Sequence, residues 1–186
     1  MTTGTGGPGG FALGEGDRAA AVAQVRALLR SDSDAEDALL GRLIDEGFAL
    51  AELFTGQVLI ARAVTEAMRG DGTWQRLRAT PVRAVTGVAD ADGAMLPVER
   101  YAIDIDAAGD GWVRVRTTNA ARMVVTLAAG LADDWSALPP GIAGGIVRLA
   151  AHRFGAREED GVPPAAVAAL WRPWRRIRLH DVRVPA

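Results

Sequence analysis

Residues 138–179, LPPGIAGGIVRLAAHRFGAREEDGVPPAAVAALWRPWRRIRL, read as a helix, a polar loop, a second helix and a basic tail. Pro139 and Pro140 open the first helix, because a proline at the first helical position gives up an amide that had no partner. At roughly 100° per residue, Ile142, Ile146, Val147, Leu149, Ala150 and Phe154 share one side, with Arg148 and His152 opposite, beside Gly144 and Gly145. A mid-helix glycine costs about 1 kcal/mol against alanine, so the adjacent pair implies that another backbone packs closely there. Glu158, Glu159, Asp160 and Gly161 form the loop. Pro163 and Pro164 start the second helix, in which Val167, Leu170 and Trp171 keep i, i+3, i+4 spacing. Pro173 stops or kinks it.

The 186 residues suit one domain with a real core, and an apolar fraction of 49% fits a globular chain. No apolar run approaches the roughly 18 residues that cross a bilayer, so no membrane partner is expected. The start of the chain lacks the charged leader and apolar segment of a secretory signal. Net charge of −2 argues against a generic nucleic-acid binder, although the tail is strongly basic and the loop before it acidic. Cysteine is absent, which removes disulfides, thiolate catalysis and cysteine-bound zinc. Lysine is absent too: all 21 basic residues are arginine, which excludes a phosphate-loop lysine and Schiff-base chemistry.

Residues 1–16 are rich in Gly, Thr and Pro and are expected to be a flexible lead. Their GTGGPGG run lacks the preceding strand and GK[ST] ending of a phosphate loop. A first helix is expected over 17–30, with Val22, Val25, Leu28 and Leu29 on one face. Ser33 and Glu36 have capping-box spacing for a second helix over 34–55. Leu39, Leu40, Leu43, Ile44, Ala51 and Phe54 form its apolar stripe, opposed by Arg42, Asp45, Ala49 and Glu52. Gly56 suits a left-handed cap.

Between 57 and 131 the hydrophobic period changes to two. Tyr101, Ile103 and Ile105 alternate with Arg100, Asp104 and Asp106, and beyond the turn at 107–111 Val113 and Val115 alternate with Arg114 and Arg116. That is a hairpin with one buried face and one charged face able to pair Asp with Arg. Met123, Val125 and Leu127 continue the pattern, as does 82–88, with weaker strand patterns at 58–65 and 74–79. The fold class is therefore α+β: N- and C-terminal helix pairs (17–56 and 139–172) with an inserted antiparallel sheet, followed by a basic tail over 173–186.

Few of the chemical motifs survive inspection. Asp104, Asp106 and Asp110-Gly111 suggest a calcium loop, but Ala108 takes the third ligand position and Val115 that of the closing glutamate. His152 and His180 are the only histidines and have no metal-binding spacing. None of Ser31, Ser33 and Ser136 lies in G-x-S-x-G. No catalytic, metal or cofactor site is expected. In the tail, arginines interleave with Trp171 and Trp174. Such a pattern serves phosphate contact with base stacking, a membrane surface, or protein docking, or else the tryptophans finish the core beneath solvated arginines.

Taken together, these pieces resemble the head–tail connector, or adaptor, family of long-tailed bacteriophages and related gene transfer agents. The resemblance rests on Asp34, Glu36, Asp37, Leu39, Leu40, Leu43 and Ile44, which open a helix ending in Phe54-Thr55-Gly56, followed by a strand-rich middle. It continues in Leu138-Pro139-Pro140-Gly141-Ile142, Leu149-Ala150-Ala151-His152 and Leu170-Trp171-Arg172-Pro173-Trp174-Arg175-Arg176. It implies a non-enzymatic ring protein of the particle neck, assembled in the bacterial cytoplasm, dodecameric, without cofactor. Its implied partners are the portal protein, a stopper or tail-completion protein, further copies of itself, and DNA passing without sequence specificity. In such proteins the C-terminal segment reaches the portal, which assigns Trp171, Arg172, Trp174, Arg175, Arg176, Ile177, Arg178 and Leu179 as a docking segment, with 173–186 dispensable for folding. A stopper ring of the same neck is the nearer alternative, and a small phage-encoded nucleic-acid-binding protein using the Trp/Arg tail the more distant one.

Overall fold

The computed structural model describes residues 7–11, 13–116, 122–155 and 164–176. They form an α+β fold, as the two changes of hydrophobic period require. The helices are α1 (Glu15–Leu29), α2 (Asp37–Thr55), α3 (Pro140–Gly155) and α4 (Ala165–Trp171). The strands are β1 (Arg62–Arg69), β2 (Gln75–Arg76), β3 (Val82–Ala89), β4 (Tyr101–Ile105), β5 (Gly111–Val115) and β6 (Arg122–Ala129).

Helix α2 is the centre of the helical layer, with α1 and α3 both packed on it. Gly47 admits that approach, since a Cβ there would lie 3.3 Å from Ile146. Packing on two sides widens the buried stripe beyond the one the leucines suggest, to Leu40, Gly41, Ile44, Gly47, Phe48, Ala51, Glu52 and Thr55. Leu39 is exposed instead. The capping box does not form: Ser33 Oγ accepts the amide of Ala35, and α2 begins three residues later than expected, after a turn through Ala35 and Glu36. Gly56 does close the helix, at φ 69° with its amide donating to Glu52 O. On α1 the buried residues are Ala21, Val22 and Val25, whereas Leu28 at its C-terminal end is exposed.

The inserted strands make two three-stranded sheets rather than one, ordered β1-β6-β3 and β2-β5-β4, with antiparallel pairing throughout. They share a second core, in which Val64, Val125 and Leu127 of one sheet meet Val113 and Val115 of the other, with Leu77 just past β2. The expected 58–65 strand starts later, at Arg62, because Val58, Leu59 and Ile60 are spent crossing between the two cores. The β4–β5 hairpin keeps its alternation but not its burial. Ile103 and Ile105 are exposed on the edge strand, although Val113, opposite Ile103, is fully buried. Register sets Asp104 opposite Trp112 and Arg114 opposite Ala102, so Asp104 and Arg114 are diagonal neighbours, not a direct pair.

Candidate functional site: the C-terminal seam

Helix α4 is only seven residues long, too short to hold itself together in water. Its stability comes from packing, through Val167 and above all Trp171. Trp171 is fully buried, lies against Phe54 with ring centroids 5.7 Å apart, and donates its indole N–H to Ile142 O at 3.3 Å. The indole takes the space a side chain at position 145 would need: a Cβ on Gly145 would sit 2.3 Å from Trp171 Nε1. One turn earlier, a Cβ on Gly141 would come within 3.3 Å of Leu170 O and 3.6 Å of Trp174 Nε1. The glycines of α3 thus receive a tryptophan more than a backbone, and Gly144 faces open space. Two substitutions separate these roles. Gly144→Ala is expected to raise stability by about 0.5–1 kcal/mol through helix propensity. Gly145→Ala is expected to lower it by about 1–3 kcal/mol through overpacking. Chemical denaturation of the two variants measures both.

Beyond α4 a turn of 3-10 helix, Arg172–Trp174, leads the chain back across the end of α2. Trp174 is half-buried on the helical core, and its carbonyl accepts from Gln57 Nε2. Arg176 N donates to Thr55 O at 2.8 Å, and the Arg176 guanidinium crosses to the sheets. There it meets Asp110 Oδ1 at 3.2 Å, Thr80 Oγ1 at 3.3 Å and the Ala108 carbonyl. Asp110 also holds Arg76 at 2.5 Å, and Asp106 Oδ1 accepts the amides of Ala108 and Asp110. Two aspartates of the apparent calcium loop, Asp106 and Asp110, are therefore engaged in holding a turn and the C-terminal segment.

These contacts divide the expected docking segment. Trp171 has no surface left to offer a partner; burial against Gly145 and Phe54 makes it core. Arg176 is paired with Asp110, so contacts with the body of the fold continue past the expected boundary at 173. Arg172 and Arg175 are exposed, the latter with its guanidinium 5.6 Å from the Phe54 ring centroid. Ile177, Arg178 and Leu179 lie outside the described residues.

One group was misplaced by periodicity altogether. Glu52, assigned to the polar face of α2, is fully buried. Its carboxylate receives both Arg62 Nη1 and Nη2 (2.7 and 2.8 Å), the amide of Leu59 (2.9 Å) and that of Gly9 (2.7 Å). Phe11 covers the arginine, its ring centroid 4.6 Å from Arg62 Cζ, and Leu13 is buried beside them. Through Gly9, Phe11 and Leu13 this part of the expected flexible lead straps the junction between the two layers. The only sequence hint was the pair Gly41 and Gly47 in α2, which marks a helix crowded on more than one side.

No protein-family model matches the chain, and no curated protein does. Solved structures do. A chain in the neck of an empty gene transfer agent particle, computed with C6 symmetry, is 29% identical at a TM-score of 0.70, covering 85% of this chain and 90% of that one. A chain of the native gene transfer agent virion matches at 29% identity and a TM-score of 0.66, with the same coverage. A chain of the native particle's neck, computed with C12 symmetry, matches at 27% and 0.65, covering 86% and 92%. The likeness runs through both layers and supports a structural protein of a virion neck. Among the described residues, no helix is long and apolar enough to cross a membrane.

Proposed function

We propose that this chain is a head–tail adaptor: a ring protein beneath the portal that extends the DNA channel and joins the capsid to the tail, without catalytic activity. The observation that carries the reading is the 27–29% identity to neck chains over most of both sequences. The C12 symmetry of one of those necks supports a twelve-membered ring. A ring suits short, weak contacts, because repetition multiplies them through avidity.

The portal-docking surface in this reading is Arg172, Trp174 and Arg175 with the following Ile177, Arg178 and Leu179. Trp and Arg are the types that anchor interfaces. Trp171 and Arg176 act differently, fixing the direction in which that segment leaves the fold. A stopper or tail-completion protein would meet the opposite face of the ring.

Two truncations test this. A chain ending at Arg176 is expected to keep its melting temperature, and particles made with it should hold capsid and portal but no tail. A chain ending at Arg172 also loses the Trp174 packing and the Arg176 contacts. It should be less stable by about 2–4 kcal/mol. If the chain ending at Arg176 still joins heads to tails, docking lies elsewhere on the ring. Imaging of the particle neck, with this chain located relative to the portal, separates adaptor from stopper.

A further inference from the structure

The outer face of the β1-β6-β3 sheet presents Ala63, Thr65 and Ala67 on β1 beside Val124, Thr126 and Ala128 on β6, with no carboxylate in either row. The two rows end in arginines. Arg69 and Arg122 are direct cross-strand partners on that face, a position in which Cβ atoms lie roughly 5 Å apart and like charges repel. Both are exposed, and among the described residues Arg122 has no carboxylate partner. Together with Arg78 and Gln75 they line an open cleft of about 480 Å³.

The acids nearby are already used. Glu66 accepts the backbone amides of Arg78 and Ala79 at 2.8 and 2.6 Å. Asp71 accepts the hydroxyl and amide of Thr73, which hold its carboxyl below the ordinary range, and it reaches Arg69 only through a weaker Coulomb attraction. The cleft is also braced: the Gln75 amide brackets the Arg69 backbone, accepting its N–H and donating to its carbonyl. Repulsion between two arginines held side by side is relieved by an anion bridging them.

We propose that this cleft is a phosphate-binding site, and that its ligand is the phosphodiester backbone of double-stranded DNA. This rests on the neck reading, in which it turns the β1-β6-β3 face towards the DNA channel. Phosphate contact needs charge, hydroxyl donors and room for a wide rod. Arg69 and Arg122 supply the charge, Thr65 and Thr126 the hydroxyls, and the small side chains between them the room. An acidic protein segment would need apolar anchors, and the two rows offer only small side chains beside Val124. Contacts so few bind without regard to sequence and weaken steeply with salt, which suits DNA that has to slide past.

The test uses the full chain and a fluorescent random-sequence duplex of 30 base pairs, followed by anisotropy between about 20 and 200 mM salt. Binding should fall with salt at a log–log slope of roughly −2 to −3, for the counterions released from two or three neutralised phosphates. R69E/R122E should weaken binding at the lowest salt at least tenfold and flatten the slope by about two. The control R42E/R148E removes the same charge from exposed positions on α2 and α3 and should bind as the parent does, and melting curves of both variants should match it. Equal loss in the two double variants, or no binding by the parent, overturns the proposal. So does a parent that binds poly-glutamate in preference to DNA, which would make the partner an acidic protein. Whether the chain sits in a neck at all is read separately, by imaging particles that carry R69E/R122E. Necks that form normally around a chain with lost DNA binding keep the two readings apart.

Discussion

Replacing Arg62 with methionine is expected to destabilise the fold by about 3–5 kcal/mol, the usual cost of removing one partner from a buried ion pair. Glu52 has no solvent exposure and the Arg62 side chain only 9%, so the carboxylate that remains cannot recover its charge compensation from water. For a chain of this size the loss corresponds to a fall of roughly 10 °C in melting temperature, measured by circular dichroism. Glu52→Gln should lose less, since its volume is kept and its oxygen still serves one of the amides of Leu59 and Gly9. Replacing both members by leucine should not restore the parent's stability, as swapping a simple buried pair often does, because those two amides would then be buried without acceptors. A loss under about 1 kcal/mol for Arg62→Met would mean that water reaches the pair and that the strap at Gly9 and Phe11 opens readily.

Trp171→Ala is the second large effect, about 3–5 kcal/mol, the range for truncating a large buried aromatic. The substitution empties the space over Gly145, removes the ring contact with Phe54 and frees Ile142 O from its donor. Helix α4 has no other deeply buried anchor except Val167, so it should detach and carry the proposed docking segment with it. Trp174→Ala, at a half-buried position, should cost about 1–2 kcal/mol and act chiefly on the joining of heads to tails. Urea titrations give the stability order, and counting tailed particles gives the assembly order. Equal stability losses for the two tryptophans would contradict the division drawn between core and docking surface.

Much of the fold was legible without coordinates. Helical spacing from Leu40 to Ala51 and from Ile142 to Ala150 located α2 and α3, and alternation located four of the six strands closely. These signals are local: a residue's face follows from its position in a repeating backbone. The C-terminal segment was legible only in part, because an aromatic that anchors a partner and one that ends a core have the same letter. Trp171 and Trp174 are three residues apart in similar company, and only the gap left by Gly145 makes one of them interior.

Glu52 shows the limit most directly. By itself the sequence determined that α2 is a helix and that Glu52 stands beside its leucine stripe. Whether that flank meets water depended on Arg62, the crossing segment at Val58–Ile60 and the strap at Gly9 and Phe11, elements up to 43 residues away in sequence. The same holds for Ile103 and Ile105, whose alternation named their face while their edge position left it uncovered. It holds for Arg69 and Arg122 as well, which become neighbours only through the β1–β6 register. A periodic pattern fixes direction within one element. Burial, and the pairing of charges far apart in the chain, are decided by what arrives to cover it.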